Sequence, residues 1–77
     1  MFYIYVFTYM IGDGAKQFSG DGGPGHLASL NSPYFVAVDA AYNVFISDYS
    51  NHRVRVVMSS SGNISTIAGT GEVKIGL

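Results

Sequence analysis

Residues 30–57 read LNSPYFVAVDAAYNVFISDYSNHRVRVV, and this stretch decides the fold. It holds three short apolar runs, residues 34–38, 44–47 and 53–57, with a cluster of turn-forming residues in each gap. The runs are rich in Val, Ile, Phe and Tyr, which suit a pleated, half-buried surface. Pro, Asn, Asp, Ala and Ser bound them, so each reads as one strand. A fourth run follows at residues 64–68. Four strands joined by tight connections make an all-β, four-stranded antiparallel meander, with no helix expected between Tyr34 and Val57.

Side-chain alternation gives each strand two faces. Val36 and Val38 share one, Val44 and Ile46 share one, and Val54 and Val56 share one. The expectation is that these six form a single apolar set. Phe35, Ala37 and Phe45 make the opposite face partly apolar, so the sheet wants neighbours on both sides.

Working outward, residues 12–33 hold six of the ten glycines and both prolines. Structureless loops of this length are uncommon in compact domains, so the segment is expected to lie folded against a sheet. Within it His26-Leu27-Ala28-Ser29-Leu30 suits one helical turn after Pro24, with Leu27 and Leu30 on one face at i, i+3 spacing. Residues 1–11 (MFYIYVFTYMI) carry no charge and are too short for a membrane-spanning helix, which needs ~20 residues. They lack the basic start and small-residue cleavage site of a secretory signal, and read as a strand.

The 77 residues allow one domain at most, and an apolar fraction of 48% argues against disorder. A compact chain of this size buries only about 60% of its unfolded surface, barely enough to offset the entropy of ordering. There are no cysteines to staple it. A net charge of −1 gives no reason to expect nucleic acid as a partner.

The chain also repeats itself. Ile67-Ala68-Gly69-Thr70-Gly71 echoes Met10-Ile11-Gly12-Asp13-Gly14 at an offset of 57 positions, with an apolar run before each. One unit is therefore a strand, a Gly-x-Gly turn, the long loop and three more strands.

The strings Ser32-Pro33-Tyr34-Phe35-Val36-Ala37-Val38-Asp39, Asn43-Val44-Phe45-Ile46-Ser47-Asp48 and Asn51-His52-Arg53-Val54-Arg55 resemble an NHL repeat. Phe18-Ser19-Gly20-Asp21-Gly22-Gly23-Pro24 and Thr66-Ile67-Ala68-Gly69-Thr70-Gly71 resemble segments between such repeats. The resemblance runs from about Met10 to Gly71. It implies one β-propeller blade with partial neighbouring strands: residues 1–14 the last strand of a preceding blade, 15–33 the inter-repeat loop, 34–71 the blade, and 72–77 the start of the next repeat. Two departures stand out. Phe35 occupies a position where the family usually has Gly, so the entry to the first strand is expected to be distorted. Residues 1–9 are more aromatic than a typical final strand.

Candidate site residues are few. Asp48, Asn51, His52 and Arg53, with Asp39, form the polar motif of the repeat. They read as structural turn residues, with Asp48 accepting bonds from turn amides and from His52; the competing reading is a ligand site with His52 as base. Arg53 and Arg55 share a strand face, either as a binding surface for phosphate or an acidic partner, or as solvated edge charges. Gly20-Asp21-Gly22-Gly23-Pro24-Gly25 satisfies G-x-G-x-x-G but lacks the strand-to-helix context of a dinucleotide site. An anion nest, or calcium held by Asp13 and Asp21, is the remaining reading of that loop. Asn63-Ile64-Ser65 is a glycosylation sequon, meaningful only on a secreted chain. No catalytic triad, metal set or cofactor motif appears in the sequence, so no cofactor or small molecule is expected.

The resemblance implies a non-catalytic binding and scaffolding module with a protein partner, or self-association. The alternatives are a piece of a propeller enzyme of lyase or lactonase type, which would itself be inert, and a piece of an RNA-binding NHL propeller.

Overall fold

The computed structural model describes residues 2–6 and 9–70. Residues 72–77, expected to begin a further repeat, lie outside that range. The described chain is mostly β, with no α-helix. Six strands follow in order: β1 (Ile4–Val6), β2 (Tyr9–Ile11), β3 (Pro33–Val38), β4 (Val44–Asp48), β5 (Arg53–Val57) and β6 (Ile64–Ala68). The last four form one antiparallel sheet in sequence order, the expected meander. β1 and β2 pair with each other as a separate two-stranded ribbon. The single strand expected over residues 1–11 is therefore two.

Turn chemistry explains the connections. Asp39 ends β3, and its Oδ1 accepts bonds from the amides of Ala41 and Asn43, both at 2.9 Å. Its Oδ2 accepts from the Asn43 side chain at 3.1 Å. This Asx arrangement pins the β3–β4 turn. Bonds donated by Asn43 hold the Asp39 carboxyl below the usual carboxylate range. The β4–β5 link is a single 3-10 turn, Tyr49–Asn51. That turn breaks the expectation that nothing helical lies between Tyr34 and Val57, because the connection is too tight for an extended chain. At the entry to β3 the register shifts between Pro33 and Val36, the region where distortion around Phe35 was expected.

The strand pairings correct the expected apolar set. Val44 pairs with Val57 and Ile46 with Arg55, whereas Val54 and Val56 pair with Ser47 and Phe45. Residues directly opposite on neighbouring strands share a face. The face of Val44 and Ile46 is therefore completed by Val36, Val38, Val57 and Ile64, while Val54 and Val56 lie on the opposite face with Phe45. Each strand's alternation was read rightly; the register joining β4 to β5 was off by one residue.

The core forms on the first face. Ile4, Ile11, Ala28 and Leu30, from the ribbon and the Gly-rich loop, pack with Val44, Ile46, Val57 and Ile64. The loop also lines the free edge of β6: Gly22 donates to the Ile64 carbonyl at 2.7 Å and Ile64 to Gly23 at 2.9 Å. The helical element in the loop is a 3-10 turn at Gly25–Leu27, and Ala28 is already extended. Leu30 is fully buried and Leu27 is 61% exposed, so the two do not share a face as expected. The short turn does not reach Leu30.

Candidate functional site

The chain's densest polar cluster centres on Arg55, in the middle of β5. Its side chain is fully buried and all three guanidinium nitrogens donate. Nη1 bonds the Ser29 carbonyl at 2.6 Å and Asp48 Oδ2 at 3.2 Å. Nη2 bonds the Ser19 carbonyl at 2.7 Å and Asp21 Oδ1 at 2.9 Å, and Nε reaches the same Asp21 oxygen at 3.2 Å. Phe18 lies with its ring centroid 4.6 Å from the guanidinium carbon. Arginine suits this position because its rigid fork of five N–H donors matches several acceptors at once. The reading of Arg55 as part of a binding surface or as an edge charge is corrected: the loop folds over it, and every acceptor it touches is internal.

Asp48 is the second fully buried charge. Its Oδ1 accepts from the Asn31 amide at 2.7 Å, and its Oδ2 from the Asn51 side chain at 2.9 Å as well as from Arg55. Asn51 also donates to the Gln17 carbonyl at 3.0 Å. Asp48 and Asn51 thus hold both ends of the loop, a structural use of the motif. His52 differs from expectation. It is exposed, its backbone is left-handed at φ 55°, and Asn51 rather than His52 meets Asp48. Its left-handed backbone ends the 3-10 turn, and its amide donates to the Tyr49 carbonyl at 3.1 Å.

Arg53 remains partly accessible. Its guanidinium stacks on the Phe18 ring at 3.8 Å from the centroid, and Nη2 donates to the Thr70 carbonyl at 3.0 Å. Its Nε is buried with no hydrogen-bond partner among the described residues.

Asp13 and Asp21 have separate duties. Asp13 accepts from the Ser29 hydroxyl and the Ala15 amide, both at 2.8 Å. Asp21 joins Arg55 to the Thr66 amide, at 3.1 Å, and to the Thr66 hydroxyl. Each carboxylate is engaged by protein donors, so the two do not converge on a cation. Among the described residues no group of three or more His, Cys, Asp or Glu could hold a metal ion. Within the Gly-rich loop it is Asp21 that ties the chain to β5 and β6.

Two features face outward. An open groove of about 800 Å³ runs beside Met10, Ile11, His26, Tyr42, Val57 and Met58, with no carboxylate, lysine or arginine among the described residues that line it. The second face of the sheet has Phe35, Ala37 and Ile67 exposed, Phe45, Val54 and Ser65 half-buried, and Val56 buried between them. At the entry to β3 the Tyr34 ring sits 4.7 Å from Phe35 and 5.8 Å from Tyr49, centroid to centroid. Sequence reasoning found the second face but missed the Arg55–Asp21 pair. The signal was present as Arg55 among the valines of β5 and as Asp21 between two glycines of the loop.

A scan of protein-family models finds no match to the chain, and searches of curated proteins and of solved structures find none either.

Proposed function

We propose that the chain is a non-catalytic binding and scaffolding module, an NHL-type propeller blade that mediates protein–protein contact. One observation carries this reading: the charged side chains at the centre of the fold are spent on internal bonds, while aromatic and aliphatic side chains face solvent. Tyr34, Phe35 and Tyr49 are each about two-thirds exposed or more. Soluble monomers rarely expose large contiguous apolar patches unless the patch is used. The resemblance of residues 10–71 to an NHL repeat supports the same reading, since stacked blades bury both faces of each sheet. The RNA-binding alternative loses support because Arg55 does not reach solvent.

The test is site-specific photo-crosslinking from Phe35 and Ile67 in the native cell, with Ser60, on the β5–β6 turn, as control. The expected result is a discrete protein adduct from Phe35 or Ile67 and none from Ser60. Equal or absent adducts at all three positions would overturn the proposal.

A further inference from the structure

β3 is the first strand of the four-stranded sheet and pairs only with β4 among the described residues. Its outer edge therefore presents backbone donors and acceptors to solvent. Asp39 donates its amide to the Asn43 carbonyl inside the hairpin at 3.1 Å. Hydrogen-bonding direction alternates along an antiparallel strand, so the N–H and C=O of Val38 and Val36 point outward. Natural sheets guard such edges with Lys, Pro, bulges or covering segments. Here the guard is confined to the entry, with Pro33 and the register shift before Val36. Residues 34–38 carry no charge.

The side chains along this edge are as open as its backbone. Tyr34 and Phe35 are 71% and 69% exposed, and Val36 and Val38 are 44% and 41% exposed. Two such aromatics can contribute roughly 200–350 Å² per copy, since a buried aromatic covers about 150–250 Å². Two copies together, with the valines, come to roughly 700–900 Å², below the ~1,200 Å² of a stable interface and in the range of a weak, concentration-dependent contact.

We propose that β3 pairs with β3 of a second copy of this chain, antiparallel about a two-fold axis at Ala37. This continues the sheet across both copies and deepens the binding-module reading on which it rests by naming the partner. Val36 of one copy then faces Val38 of the other and exchanges backbone hydrogen bonds. The two Ala37 residues meet as the closer, non-hydrogen-bonded pair. The contact is isologous, and with no like charges along the strand nothing repels it.

The experiment uses the whole chain, which has no cysteine of its own. Ala37→Cys should give a disulfide-linked dimer on mild oxidation, because Cα atoms in such a pair stand ~4.5 Å apart, within disulfide reach. Ile67→Cys, on the far strand, should stay monomeric. Sedimentation of the unmodified chain should show its mass doubling with concentration. Val38→Lys should abolish that doubling while leaving the circular dichroism of the sheet unchanged, and so should Val36→Pro, which removes only an outward N–H. Equal crosslinking from Ile67→Cys, or doubling that survives both edge variants, would overturn the proposal. A monomer at every concentration that still crosslinks another protein from Phe35 would overturn the dimer and leave the binding reading standing. A monomer without adducts would overturn both.

Discussion

Arg55 and Asp48 meet diagonally across adjacent strands, Nη1 to Oδ2 at 3.2 Å, both with fully buried side chains. Each also serves the Gly-rich loop, Arg55 through Ser19, Asp21 and Ser29, and Asp48 through Asn31. The pair therefore acts as a rivet between sheet and loop. Burying two charges is costly, and their attraction repays it only when the remaining donors and acceptors are satisfied. Here the loop carbonyls satisfy them.

Removing the arginine leaves Asp48 buried without its counter-charge. Arg55→Ala is expected to destabilise the chain by about 3–5 kcal/mol, comparable with the whole stability of a domain this small. Arg55→Lys should rescue little, because an ammonium cannot span acceptors on four residues. Urea denaturation followed by circular dichroism measures both. Near-wild-type stability of Arg55→Lys would show that charge alone suffices.

His52 should behave oppositely. With an exposed ring and a left-handed backbone, it contributes strain and no bond to Asp48. His52→Gly is expected to be neutral or to stabilise by up to about 1 kcal/mol, since glycine adopts this conformation freely. Asn51→Ala should cost about 1–3 kcal/mol by leaving buried Asp48 short of a donor. If His52→Gly proves the more damaging of the two in thermal melts, the imidazole holds a contact that this account lacks.

Much of this was legible in the sequence. The strands of residues 33–68 follow from Val, Ile and Phe between turn residues, and Asp39 announces its own turn. The faces of β5 did not follow, because Val54, Val56 and Val57 fit either register and only the length of the Tyr49–Asn51 turn selects one. Arg55 was misread for a related reason. A charge at a strand position reads as exposed unless its partners are known, and Asp21 lies 34 residues away. Long-range pairs leave no local periodicity.

Two glycines in the same loop separate crowding from backbone conformation. Gly20 and Gly22 have φ near +90° and +89°. A Cβ on Gly20 would stand 2.5 Å from the Ala28 Cα, while one on Gly22 would meet nothing within 4 Å. Gly22→Ala should cost only the conformational penalty, about 1–2 kcal/mol. Gly20→Ala should cost clearly more, because backbone must shift. Equal losses in denaturation would mean that the loop does not press on Ala28.

Acid should weaken the β3–β4 turn. The Asp39 carboxyl titrates below its usual value because Asn43 donates to its charged form. Its contribution is complete above the unfolded carboxylate value of about 4 and is lost as pH falls through the lower folded value. Asp39→Asn should therefore flatten the acid limb of stability below about pH 4 and leave the neutral plateau's pH dependence unchanged. Stability curves at stepped pH would show it; an identical acid limb in the variant would contradict the assignment.

The central claim is that the chain closes one face of its sheet with its own loop and leaves the β3 edge open. Residue-resolved amide hydrogen exchange in dilute solution tests this most directly. The account predicts slow exchange at Gly22, Asn31, Ile64 and Thr66, whose amides bond across the loop–sheet contact. It predicts fast exchange at Val36 and Val38, slowing as concentration rises. Loop amides that exchange as fast as those of an unfolded peptide, or β3 amides protected at every concentration, would contradict it.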